Sequence, residues 1–499
     1  MNKETKYIFN PSYLMKNDLK RIIITDKNPR FLNKNNIDVN TEFITAIHPI
    51  HAMMLSFFNG KDNLDTVISK ISYFFGLPYE KVEKLVSIYI ENKNEILLEY
   101  EGNIFDIPKN IIVQNTNNEY HNYRAEDFII EEEVDIQTER LFLPLDLTFM
   151  MTNKCLTNCI YCYADRKTKY KPISFERLKI IIKEAKNIGI RNFDLSGGEL
   201  FLYSNWEELL IELSQNGFFP YISTKIPIEW DTINKLKNLG FKTIQFSIDS
   251  LNPKILKETI KTKDDYIVKL KESLRNCEDL GIKIRINTVL TRQCYVIEDF
   301  KSLIEYLMTF NNLENHNITI AGYSIYLGEK EYLNYRLNEN SIKEIQNFVN
   351  NINNDYPIEF NDYAKQVEYL TDDISLKNTN FQKRAKCTGN IENFYILPDG
   401  KVTICEELYW HENFIIGDLS KQTIEEVWNS EKALSLYNLS QEMIQESSAC
   451  KTCGEYDECH KFPGVCWKLI IEAYGSNNWD YPDPRCPYAP IPKNTFFVE

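Results

Sequence analysis

The chain has 499 residues, of which 43% are hydrophobic and 26% charged, with a formal net charge of -15; a length beyond ~250–300 residues divides among several hydrophobic cores. With a mean hydropathy of -0.39, no apolar run of the ~20 residues a bilayer span needs and no apolar segment in the N-terminal "MNKETKYIFN", the expectation is a cytoplasmic protein without a membrane partner. The acidic balance argues against nucleic acid as a partner, because phosphate binding requires a basic face.

Helical periodicity opens the chain in "PIHAMMLSFFNG", "NLDTVISKISYFFG" and "PYEKVEKLVSIYIENKN", the first two closing on glycine. Two short strand candidates follow, "EILLEY" and "NIFDI", with Glu101-Gly102 as the turn. Three helices and a small wing make residues 1–110 a winged-helix-like module. Residues 111–140, with "NTNNEYHN" and "EEEVDIQTER", lose periodicity and are expected to form an acidic linker.

From residue 141 to 365, strands and helices alternate. The strand candidates "LPLDLTFMMT", "RNFDLSG", "FPYIST", "TIQFSID", "KIRINTVLT" and "NITIAGYSI" predict a parallel sheet of about six β/α units, a partial TIM-like barrel. Residues 366–499 are loop-rich. They begin with a hairpin in "NFYILPDGKVTIC", turned by Asp399-Gly400, and hold seven of the twelve cysteines. So little periodic helix predicts a region that depends on metal for its stability, and cytosolic cysteines are better read as ligands than as disulfides.

Three cysteines in "MTNKCLTNCIYCYADRK", Cys155, Cys159 and Cys162, follow the first barrel strand, at the face where such barrels carry their active sites. Three thiolates can hold three irons of a [4Fe-4S] cube and leave the fourth iron open; a zinc site with a ligand from elsewhere is the alternative. The spacing C-x3-C-x2-C, with Tyr161 before the last cysteine, resembles the signature of the radical S-adenosylmethionine (SAM) superfamily. "SGGEL" at the end of the next strand resembles that family's GGE motif. The resemblance implies SAM bound at the open iron, with Gly197 and Gly198 allowing close approach and Glu199 accepting from the SAM ammonium. Ser223 and Thr224 in "STK", Ser247 and Asp249 in "FSIDS", and Arg285 and Asn287 in "RINTV" are strand-end polar residues near the same pocket. Tyr161, Gly197, Gly198, Glu199, Ser223, Ser247, Asp249 and Asn287 are therefore the expected cofactor-binding residues.

The C-terminal cysteines resemble the seven-cysteine SPASM region of radical SAM enzymes. By that resemblance Cys450, Cys453, Cys459 and Cys486 hold one auxiliary [4Fe-4S] cluster, and Cys387, Cys405 and Cys466 hold another, making three clusters in all. One departure is the spacing before Cys466, six residues where the family has three. A second is "KNTNFQKRAKC", which lacks the further cysteine that related enzymes often carry before the position of Cys387, so this auxiliary cluster is expected to keep an iron open to a substrate thiolate or another non-cysteine ligand. Cys277 reads as a buried helix residue, while Cys294, in a loop after a barrel strand, stays open. Glu406 is a catalytic candidate by likeness to sulfatase-maturating enzymes, with a solvated carboxylate as the alternative.

Ahead of such a chain, the N-terminal module resembles the recognition element of enzymes that modify ribosomally made peptides. That implies a precursor peptide whose leader adds as a strand beside the wing, and a flavodoxin- or ferredoxin-like electron donor. The expected activity is a radical SAM peptide maturase installing a cysteine thioether. A carbon–carbon or carbon–oxygen crosslink, formylglycine or quinone-cofactor formation, and non-enzymatic electron transfer are the alternatives.

Overall fold

The protein is described from a computed structural model covering residues 2–27, 43–90, 92–352, 356–361, 374–384, 386–461 and 464–492. It divides into two units, Met1–Leu145 with Asn187–Arg191, and Asp146–Lys186 with Asn192–Glu499. The division expected between residues 365 and 366 lies outside the described residues. Among the described residues no helix is long and apolar enough to cross a membrane.

The first unit is richer in strand than its periodicity predicts. β1 (Lys6–Phe9), β2 (Tyr13–Asn17), β3 (Ile22–Asp26) and β4 (Ile44–Ile47) precede α1 (Pro49–Ser56), β5 (Asn59–Asn63), α2 (Leu64–Phe75) and α3 (Tyr79–Tyr89), and β6 (Ile96–Tyr100), β7 (Asn103–Ile107) and β8 (Ile112–Gln114) follow. The three helices and the β6–β7 wing are those the sequence predicts. Asn63 caps α2 by accepting from the Thr66 amide, and Gly76, at φ +63°, ends it. α1 does not close on glycine: it stops at Ser56, and Gly60 sits in β5, where a Cβ would lie 2.3 Å from the Glu119 carbonyl. The missed strands form the order β2-β3-β4, with Ile22, Ile23 and Ile24 fully buried on both faces. Such continuous apolar runs carry no alternation to distinguish strand from helix.

Residues 111–140 are not a loose linker. β8 pairs antiparallel with β1, and Phe128 is buried in the unit's core. Farther on, the buried Asp18–Arg21 pair anchors the chain: Arg21 Nη2 donates to the Arg140 carbonyl at 3.0 Å, and Asp18 accepts from the amides of Phe142 and Leu143. A few buried polar anchors replace the helical stripe that periodicity seeks.

In the second unit the six expected strands are all present as β9 (Asp146–Thr152), β10 (Asn192–Gly197), β11 (Ile222–Thr224), β12 (Thr243–Ser247), β13 (Lys283–Leu290) and β14 (Leu313–Ile320), and a further parallel strand, β15 (Ile358–Asn361), follows. They run as β9-β10 and as β11-β12-β13-β14-β15, all parallel within each run. Ile222, Ile244, Phe246, Ile284 and Ile286 are buried on the sheet. The predicted hairpin is β16 (Asn393–Ile396) and β17 (Lys401–Thr403), joined by β18 (Ile415–Asp418). β16 adds in parallel to β9, Asn393 opposite Asp146, so the cysteine-rich region continues the first barrel sheet.

Candidate active site and cysteine clusters

The loop after β9 carries the first three cysteines and is held by its own backbone. Amides of Asn158 and Ile160 donate to the carbonyls of Ile260 and Thr259 at 2.9 Å each. On the other side, the Gly198 amide donates to the Thr152 carbonyl at 2.5 Å and the Glu199 amide to the Lys154 carbonyl at 2.7 Å. A Cβ on Gly198 would stand 2.1 Å from the Lys154 carbonyl oxygen, and one on Gly197, at φ +112°, 2.4 Å from that of Thr152. Both glycines therefore let two backbones close on each other.

Burial pushes the Cys155 thiol up to about 11; Arg166 opposes the rise, while Cys162, Glu199 and Cys159 add to it. Cys162 is raised by burial as well. The neighbouring thiols add to the rise at Cys155 and at Cys162, a balance that a cation among them reverses, since metal ligands must be thiolates. Among the described residues no three His, Cys, Asp or Glu side chains are arranged to hold one metal ion; a four-iron cube spreads its thiolates more widely than a single ion.

Glu199 is buried. Its carboxylate accepts from Thr224 Oγ1 at 2.9 Å and from the Lys225 amide at 3.1 Å, and burial raises its pKa against those hydrogen bonds. Ser223 Oγ donates to Gln245 Oε1 at 2.6 Å, and Gln245 Nε2 donates to Ser247 Oγ at 3.0 Å, so a buried glutamine the sequence reading passed over bridges the two serines. Asn287 lies opposite Ser247 in register, whereas Arg285, opposite Gln245, is engaged by Glu314 at 2.6 Å. A cavity of about 170 Å³ is lined by Ser196, Gly197, Gly198, Tyr221, Ser223 and Tyr163 among others. Ser196 Oγ is buried there without a hydrogen-bond partner. An orphaned hydroxyl beside two glycines and a cysteine triplet fits a polar cofactor at this place.

Asp249 lies two residues beyond Ser247, the last residue of β12. It accepts from the Tyr161 hydroxyl, from Lys225 Nζ at 3.1 Å and from the Val289 amide at 3.1 Å. Lys225 Nζ also donates to the Tyr161 hydroxyl at 2.6 Å. Lys225 was missed because a lysine at a strand end ordinarily reads as a solvated charge; its place in "STK" after two polar residues was the available signal. Tyr161, between two cysteines, is thereby tied to the ends of β11 and β12.

The seven C-terminal cysteines separate into two groups. Cys450 lies within electrostatic reach of Cys486, Cys459 and Cys453, and burial pushes its thiol and that of Cys459 up to about 12. Cys453, Cys459 and Cys486 line a cavity of about 410 Å³ with Phe381 and Tyr488. Gln441 Nε2 donates to the carbonyls of Cys450 and Cys453 at 2.8 Å each. Cys405, in turn, senses Cys466 and Cys387, and Cys466 senses Cys387. Cys450, Cys453, Cys459 and Cys486 thus lie within reach of one another, and so do Cys387, Cys405 and Cys466.

Cys277 is fully buried on a helix, Tyr266–Asp279. Cys294 is buried too, accepts from Thr291 Oγ1 at 3.3 Å, and senses Asp249 rather than the Cys387 set. Glu406 follows Cys405; burial pushes its carboxyl up to about 7, with Glu407 adding to the rise and Lys468 opposing it. Its field also raises the Tyr163 hydroxyl, next to Cys162.

Comparison with known proteins adds three findings. The family model of the radical SAM superfamily matches residues 149–307, and that of the SPASM iron-sulfur cluster-binding domain matches residues 387–454. Curated relatives include a probable GTP 3',8-cyclase of Methanothermobacter thermautotrophicus, 26% identical over 30% of this chain and 49% of its own length. The GTP 3',8-cyclase of Desulforamulus reducens is 31% identical over 21% of this chain and 35% of its own. The chain thus spans half or less of the length of these relatives. Among solved structures, Streptococcus suis SuiB bound to S-adenosylmethionine has the same fold across 96% of this chain and 99% of its own, at TM-score 0.61 and 14% identity. SuiB bound to its precursor peptide SuiA aligns at TM-score 0.59 and 15% identity, over 96% of this chain and 98% of its own.

Proposed function

For a chain that carries a radical SAM domain followed by a SPASM domain, we propose the function of a peptide maturase that binds a precursor leader at its N-terminal unit and crosslinks the peptide core. The observation that carries this reading is the extent of the likeness: the fold shared with SuiB runs through the N-terminal unit and the cysteine-rich end as well as the barrel. The two cyclases named above match 30% of this chain or less.

In this reading Cys155, Cys159 and Cys162 hold the SAM-binding cluster. Cys450, Cys453, Cys459 and Cys486 hold one auxiliary cluster, and Cys387, Cys405 and Cys466 the other. The bound cofactors supply a 5'-deoxyadenosyl radical able to abstract a substrate hydrogen, with a flavodoxin- or ferredoxin-like protein as electron source. The chain's own part is placement. Tyr161, Lys225 and Asp249 fix the cysteine loop, Glu199 is oriented by Thr224 and the Lys225 amide, and Ser196 and Ser223 offer hydroxyls to the cavity. Glu406, with its carboxyl near neutrality, is suited to accept a proton from the peptide.

A cysteine thioether is the first choice of product, because the three-cysteine set leaves room for a substrate thiolate. Forming it would remove two hydrogens from the peptide, one as an atom taken by the 5'-deoxyadenosyl radical and one as a proton, with the remaining electron passing to the auxiliary cluster beside the thiolate. Co-expression with a short cysteine-bearing precursor should therefore give a peptide lighter by two hydrogens, along with 5'-deoxyadenosine in vitro. If SAM is cleaved only when GTP is supplied and every peptide is returned unchanged, the cyclase-like reading stands in its place.

A further inference from the structure

Arg384 belongs to "FQKRAKC", the stretch that lacks a cysteine before Cys387. It is 6% exposed, which for a guanidinium demands partners. Its Nε donates to the Gly464 carbonyl at 2.9 Å and its Nη1 to the Phe381 carbonyl at 2.7 Å. The guanidinium lies 3.6 Å from the Phe381 ring centroid, so carbonyls and an aromatic face fix it together. The remaining nitrogen, Nη2, points at Cys459, 3.4 Å from its carbonyl and 3.8 Å from its Sγ. Phe381 and Cys459 both line the 410 Å³ cavity, so a permanent cation is held against two residues of its wall.

The other cysteine set has a different charge at its backbone. Asp483, 1% exposed, accepts from the Cys466 amide at 3.0 Å and is bridged by Arg485 at 2.8 and 2.7 Å. A buried carboxylate–guanidinium pair thus lies at the Cys466 amide, while the Arg384 guanidinium donates to a ligand sulfur of the other set.

We infer that Arg384 is a tuning residue: by donating to Cys459 Sγ it raises the reduction potential of the cluster held by Cys450, Cys453, Cys459 and Cys486. Hydrogen bonds to ligand sulfur and nearby positive charge both favour the reduced, more negative cluster. The inference rests on the proposed assignment of these cysteines to an auxiliary cluster.

The test is a redox titration, followed by electron paramagnetic resonance, of the full reconstituted chain and its R384Q and R384K variants, after iron and sulfide have been counted. In R384Q one titration wave should move to lower potential while the others stay, with the reduced-to-oxidised ratio of that cluster at a fixed poise falling about tenfold, or about 59 mV for one electron. R384K, which keeps the charge but not the planar fork, should move the same wave less. Waves unmoved in both variants at full iron content, or all moving together, would overturn the inference. If R384Q loses iron, [15N]arginine in the unmutated protein decides: one reduced cluster should show an arginine nitrogen coupling that R384K lacks, and its absence rejects the contact. The cluster assignment fails separately, if C459A retains all the iron of the unmutated protein.

Discussion

Lys225 Nζ donates to the Tyr161 hydroxyl at 2.6 Å, and both groups converge on Asp249. The lysine side chain is 14% exposed and the carboxylate fully buried, so this is an interior ion pair with a tyrosine inserted into it. Breaking such a pair by removing one partner costs about 3–5 kcal/mol, because the other charge stays buried. K225M should lower unfolding free energy by about that amount and reduce iron at the Cys155 set. Y161F, which leaves the pair intact, should cost about 1–3 kcal/mol. Anaerobic urea unfolding with iron analysis checks both; a K225M protein matching the unmutated one in both would show that the clamp holds nothing.

Gly198 makes a sharper steric prediction. A methyl group there meets the Lys154 carbonyl at 2.1 Å, a clash with backbone that no rotamer relieves. G198A should displace the cysteine loop and deplete the cluster proposed at Cys155, Cys159 and Cys162. Gly322, where an added Cβ meets nothing within 4 Å, supplies the control. Equal iron in G198A and G322A is the result that contradicts this account.

The cysteines, the glycine pair and the alternating strands were legible because each is a local pattern imposed by chemistry or geometry: ligand spacing, close backbone approach, period-two burial. The strands β1 to β4 were not, since three consecutive buried isoleucines on β3 give no period. Nor was the Tyr161–Lys225–Asp249 contact, whose members are separated by 64 and 24 residues and meet only through the sheet. The same holds for residues 111–140, where β8 and Phe128 are secured by partners distant in sequence and the local composition alone suggested a linker.

A pH dependence follows from His316, fully buried on β14. Thr288 Oγ1 gives its only proton to the Ile248 carbonyl at 2.6 Å and so accepts from His316 Nε2 at 2.8 Å, while Nδ1 accepts from the Tyr356 hydroxyl at 2.7 Å. Burial lowers its pKa from 6.5 to about 3. The unfolded chain therefore binds a proton that the folded chain refuses throughout that window, and stability falls as pH drops through it, by at most ~1.4 kcal/mol per pH unit. The stability gap between the unmutated protein and H316Q should narrow from pH 7.5 to pH 5. A gap independent of pH would mean that the imidazole is not held neutral.

Cys277 and Cys294 lie outside the ten proposed ligands, and their surroundings give them different predictions from Cys466. Cys277 is sealed in its helix, and Cys294 faces Thr291 and Asp249. C294A should keep all auxiliary iron, whereas C466A should lose the cluster of its set. In the proposed assignment the three-cysteine set leaves its fourth position to a peptide thiolate. Adding a cysteine-bearing precursor should change one auxiliary spectrum, while a serine-substituted precursor should not. Loss of auxiliary iron in C294A would instead identify Cys294 as the missing fourth ligand and close the position to substrate.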